Sequence, residues 1–127
     1  SRQKVYFIFG SHRAFAWSTD MQNWTTFTNN INDDTKCQAL FKSAFDWAAK
    51  GDSSYGWSGN LWAPDVIWNE QMNKWCMYMS INGKSWNSSI VLLTSDSLNG
   101  DWENQGTVVY SGFTKYRYRF CISSRFR

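Results

Sequence analysis

Lys74-Trp-Cys-Met-Tyr-Met-Ser80 and Lys4-Val-Tyr-Phe-Ile-Phe-Gly10 are two versions of one pattern. Each opens on a lysine, continues as an apolar and aromatic run, and closes on a small residue. Short dense runs of this kind, bounded by turn-forming residues, read as buried strands. The match continues downstream. Ala16-Trp-Ser-Thr-Asp20 followed by Trp24 aligns with Leu92-Leu-Thr-Ser-Asp96 followed by Trp102. The two offsets are 70 and 76, and the six extra residues fall in the segment 82–89. Repeated units of about four antiparallel strands are the pattern of β-propeller blades. The second unit carries strands near 61–68, 74–81, 89–95 and 107–110. The first begins at its second strand, 4–9, which reads as fully buried, and continues with strands near 14–18 and 24–28. Its innermost strand would precede Ser1.

Between the units the β pattern stops. Leu40, Phe41, Ala44, Trp47 and Ala48 recur at helical spacing, which predicts one amphipathic helix near 38–50. Gly51-Asp52 would end it. Trp17 and Trp24 are expected in the core. Asn82-Gly83 is a strong signal for a tight turn.

The second unit opens with Asn60-Leu-Trp-Ala-Pro-Asp-Val-Ile-Trp68. Proline lacks an N–H and suits the first residues of a strand. Val66, Ile67 and Trp68 favour an extended continuation. Strict alternation would send Trp62 and Pro64 to one side, and Ala63 and Asp65 to the other. Asp65 then stands at the start of a stiff strand, a good place for a working carboxylate. The local sequence alone favours the plainer reading, in which Asp65 bonds backbone N–H groups or begins a turn.

The 127 residues make one domain, and 19% of them are aromatic, including nine tryptophans. In a chain of mean hydropathy −0.53, so many rings suggest that some are exposed, where flat ligands such as sugars can use them. No apolar run is long enough for a transmembrane helix. No signal peptide is visible at the start, and the compartment stays open. Three cysteines without a C-x-x-C pair, and a single histidine (His12), make a zinc site improbable. Cys76, inside an apolar run, reads as a small buried hydrophobe. The net charge is +3, yet residues 114–127 hold five cations and no acid, which leaves −2 on the rest. That segment reads as a basic, solvated tail separate from residues 1–113. A basic tail can contact nucleic acid or anionic surfaces, but a solvated end is favoured, and neither a nucleic-acid nor a membrane partner is expected.

Tyr6-Phe-Ile-Phe-Gly-Ser-His12, Ala16-Trp-Ser-Thr-Asp-Met-Gln-Asn-Trp24 and Leu61-Trp-Ala-Pro-Asp-Val66 closely resemble glycoside hydrolase family 43. That family contains arabinanases, α-L-arabinofuranosidases and β-xylosidases on a five-bladed β-propeller. The resemblance spans roughly residues 4 to 113 and fades beyond Phe113. It implies an all-β fold, a partial propeller of about two blades with one inserted helix. It further implies a glycosidase that cleaves arabinofuranosyl or xylosyl linkages by inversion. No cofactor and no metal ligand are assigned.

In the family the general base, the general acid and a third, tuning carboxylate lie on strands outside this stretch. None of the three maps onto a residue here, so no catalytic residue is assigned. By resemblance Trp62, Asp65 and His12 are substrate-binding: Trp62 stacks on a sugar face, while Asp65 and His12 bond hydroxyls. The expected ligand is an arabinose- or xylose-containing oligosaccharide. Two further readings belong to other classes: a non-catalytic carbohydrate-binding module, and an oligomer of propeller fragments. An unclosed ring and a missing strand predict a homo-oligomer.

Overall fold

The computed structural model describes residues 2–83, 87–114 and 117–122, with side chains as far as Ser111. Among the described residues eight strands form two antiparallel sheets. The first holds β1 (Tyr6–Phe9), β2 (Phe15–Ser18) and β3 (Thr25–Thr26) in that order. The second holds β4 (Leu61–Asn69), β5 (Lys74–Ile81), β6 (Ser89–Ser95), β7 (Glu103–Thr114) and β8 (Arg117–Ile122), again in sequence order.

The repeat read from the sequence survives as hydrogen-bonded register. Tyr6 pairs with Ser18 and Phe9 with Phe15 in the first sheet. Cys76 pairs with Thr94 and Met79 with Val91 in the second. Adding 70 to one strand and 76 to the other carries each of the first pairs onto one of the second.

The inserted segment departs from expectation. It is two short helices, α1 (Asp34–Leu40) and α2 (Lys42–Ala48), joined at Phe41, whose φ of −107° and ψ of 16° lie outside the helical range. Asp33 caps the first by accepting the Lys36 N–H at 2.8 Å. The buried positions are Cys37, Phe41, Ala44, Phe45 and Ala48, a stripe at helical spacing that crosses the break. Gly51, at φ 80°, ends the segment as read from the sequence.

α2 packs on β5 and β6. There Met77, Met79, Val91 and Leu93 join the helical stripe, Leu61, Ile81 and Trp102 in one core. Phe9, Phe15 and Phe27 extend that core to the first sheet, and Phe9 meets Trp102 edge-on at 6.0 Å. Cys37 and Cys76 are buried free thiols, and desolvation pushes Cys37 up to about 11, so it stays a protonated hydrophobe.

Three further expectations are corrected. The first strand is not fully buried: Ile8 is 46% exposed, because β1 pairs with β2 alone among the described residues. Trp24 is 37% exposed and Trp17 half-buried, since Trp24 precedes a two-residue strand at the edge of its sheet among the described residues. Part of the basic segment 114–127, read from the sequence as a solvated tail, is a strand. β8 pairs with β7 from Val109↔Ile122 to Thr114↔Arg117, so the sheet runs past the boundary at Phe113. Residues 115–116 and 123–127 of that segment lie outside the described residues.

Candidate sugar-binding site

β4 is the first strand of the second sheet and lies at its edge among the described residues, and its first half carries two of the three candidate residues. From Pro64 onward its ladder is regular, with Pro64↔Met79 and Val66↔Met77 on the core side and Asp65↔Tyr78 on the other. Before Pro64 it is not. Leu61 pairs with Ile81, so three steps on β4 span two on β5, and Trp62 and Ala63 have no partner. This extra residue is a β-bulge, which kinks a strand and re-aims its side chains. The alternation expected across Trp62–Asp65 therefore fails. Trp62, Ala63 and Asp65 are all exposed, Trp62 by 47%, and only Pro64 is half-buried.

His12 reaches the same strand from the first sheet. Ser11–Arg13 forms a single 3₁₀ turn after β1 and lies against β4. His12 and Arg13 both hold left-handed backbone, at φ 57° and 69°. Gly10 makes the sharp exit possible: its N–H donates to the Ala14 carbonyl at 2.8 Å, and a Cβ there would stand 2.9 Å from that oxygen.

Arg13 fastens the turn to the helical insertion. Its guanidinium pairs with Asp34 at 2.7 Å and donates to the carbonyls of Ile31 and Asn32. It also lies over the Trp57 ring at 4.9 Å. The Asn32 side chain donates back to the Arg13 carbonyl at 2.6 Å.

The fold thus gathers Trp62, Asp65 and the His12 turn around one strand, on an open surface. Among the described residues the side chains of His12 and Asp65 make no hydrogen bond or ion pair, so their polar atoms are available to a ligand. An exposed indole and an exposed carboxylate on one strand, with an exposed imidazole on the turn that packs against that strand, are groups a sugar can use, since its C–H face stacks and its hydroxyls bond. A groove of about 460 Å³ lies at Leu40 and Asn104, and one of about 390 Å³ lies beside Gly10 and Arg13, next to the His12 turn. Two more lie elsewhere. One of about 370 Å³ runs along α1 and α2 to Tyr55 and Trp57, and another of about 330 Å³ lies between Trp47 and Tyr110. Sequence reasoning missed Arg13, Tyr55 and Asn82, which hold the site's backbone. Only Asn82 carried a local signal, and that signal read as a turn.

Two antiparallel sheets, each with its strands in sequence order, have the form of β-propeller blades. Similar proteins bear this out. The chain is 28% identical over 112 residues to the extracellular endo-α-(1→5)-L-arabinanase 2 of Bacillus subtilis, covering 85% of this chain and 22% of that one. The crystal structure of an endo-1,5-α-L-arabinanase from Thermotoga petrophila superposes with a TM-score of 0.71 at 24% identity, over 90% of this chain and 25% of that one. The α-L-arabinanase of Cellvibrio cellulosa, solved with arabinohexaose, gives 0.57 at 23% identity, over 87% of this chain and 34% of that one. The chain therefore spans about a fifth of the length of the curated relative it matches. No family model matches it.

Proposed function

We propose that this chain is the substrate-contacting part of a glycoside hydrolase of family 43 type that acts on arabinan. The observation that carries the reading is the gathering of Trp62, Asp65 and the His12 turn on one strand of an arabinanase-like propeller. Similarity to arabinanases over 85% of the chain supports it and favours arabinofuranosyl over xylosyl linkages. Trp62 stacks on a sugar ring, and Asp65 and His12 bond its hydroxyls.

Inverting hydrolysis needs an acid at the leaving oxygen and a base that holds water on the opposite face, with the carboxyls set apart. On this reading Asp65 binds and does neither. The chain alone therefore binds arabinohexaose but releases no sugar from arabinan, an aryl arabinofuranoside or an aryl xyloside. Trp62→Ala weakens binding about tenfold or more, the usual loss for a stacked ring. Turnover that disappears in Asp65→Ala would show that the carboxylate roles are wrong. Absence of arabinohexaose binding at millimolar concentration would remove the sugar-binding reading altogether.

A second reading, self-association, rests on a separate observation. β1 has one unpaired edge among the described residues, beside Ile8 at 46% exposure, and β4 exposes Ile67 by 57%. Open edges and apolar faces of this kind recruit another chain. Light scattering at micromolar concentration is expected to report a dimer or larger. A stable monomer would sink the idea.

A further inference from the structure

Asn82-Gly83 opens a loop longer than the two-residue turn its composition suggests, because β6 begins only at Ser89. The Asn82 side chain instead turns back to β4. Its Nδ2 donates to the Trp62 carbonyl at 2.7 Å and to the Asn60 carbonyl at 3.5 Å. Its backbone N–H donates to Asn60 O at 2.9 Å. Its own carbonyl accepts from the Tyr55 hydroxyl, also at 2.9 Å. One residue thus ties the loop before β4, the first residues of β4 and the end of β5.

The bulge explains why such a tie is needed. Trp62 has no partner in β5, so the ladder does not hold its peptide. Asn82 supplies the missing bond from a side chain, and the direction of an exposed ring follows the backbone beneath it. Burial pushes the Tyr55 phenol up to about 12, which keeps it a protonated donor to Asn82. Gly83 anchors the other side of the tie. A Cβ there would stand 2.5 Å from the Asn87 carbonyl and 2.8 Å from that of Ala48, so its backbone presses on the end of α2.

The repeat adds an independent observation. Shifting Asn82 back by 70 gives His12. The two loops that follow the equivalent strands β1 and β5 thus both lie against β4, one on each side of the repeat.

We propose that Asn82 is a positioning residue that aims Trp62 at the sugar, acting through the Trp62 carbonyl and not by touching ligand. The proposal rests on the reading of Trp62 as a sugar-binding ring. Asn82→Asp keeps the shape and removes the donor, and Asn82→Ala removes both. Each is expected to weaken arabinohexaose binding about threefold to tenfold, the effect of one lost hydrogen bond. Each should also shift or broaden the Trp62 indole N–H resonance in ligand-free chain, assigned by its loss in Trp62→Phe. Tyr55→Phe should move that resonance in the same direction by less. An unmoved Trp62 resonance in folded Asn82→Asp overturns the proposal, whatever happens to binding. If Trp62→Ala binds arabinohexaose as well as the unmodified chain, the sugar-binding reading falls, and the resonance still decides whether Asn82 positions the ring.

Discussion

The two repeated units share strand register but differ in what covers them. Met77, Met79, Val91 and Leu93, in the second sheet, are at most 1% exposed, because α2 packs on that face. Of the first-sheet positions aligned with them, Phe7, Phe9 and Trp17 stay partly exposed and only Phe15 is buried. The aligned tryptophans diverge further: Trp102 is 2% exposed and Trp24 37%. Pairing register is set by local pattern and turn length, whereas burial depends on which element arrives on top.

The turns after β2 and β6 differ in the same way. Asp20 accepts the backbone N–H groups of Asn23 and Gln22, the Asn23 amide and the Ser18 hydroxyl. These bonds, led by those from Asn23, hold its carboxyl far below the usual carboxylate range. The aligned Asp96 pairs with Lys74 at 2.7 Å, and its turn is closed by the Ser95 hydroxyl, which bonds Ser97 and Asp101. One aspartate organises a turn and the other decorates a surface.

The sharpest test of this contrast is truncation in the two faces. Met77→Ala is expected to cost about 2–5 kcal/mol, and exposed Ile8→Ala under about 1 kcal/mol. Urea unfolding of the two variants measures both, and equal losses would break the comparison.

The glycines come next. Gly83→Ala meets two backbone segments and is expected to destabilise by about 1–3 kcal/mol, the usual range for overpacking. Gly10→Ala meets one carbonyl and should cost less in thermal melts.

Asp20→Asn should act more weakly and with a pH signature. The folded pKa is depressed, so the aspartate contributes stability above its unfolded value near about 4, lost as the pH falls below that. The asparagine variant should melt lower at pH 7 and show a flatter decline from pH 5 downward. An unchanged acid limb would mean that the four bonds do not hold the carboxylate in solution.

The smallest effect is expected at Asp96. Its ion pair with Lys74 is solvent-exposed, and Asp96→Asn should change stability by no more than about 1 kcal/mol, less in high salt.

The strands as far as β7, their order and the pairing of β1 with β2 and β5 with β6 were legible in the residues; β8 was not. Strand formation and register follow from alternation and turns within about ten residues of chain. The helical stripe was legible too, but not its break at Phe41, where the side chain stays buried while the backbone leaves the helix. Of the candidate site, the sequence marked Trp62, Asp65 and His12 through resemblance. It could not indicate that a bulge would expose Trp62 and Ala63 together, since a bulge is a mismatch between two strands and appears in neither alone. Asn82 shows the same limit. Its composition specifies a residue at ease in a turn with a spare amide, and only tertiary structure decides which carbonyl that amide meets. Local chemistry thus determined what each segment could form. The arrival of α2 on the second sheet, and of the His12 turn on β4, decided what is buried and what remains open to a ligand.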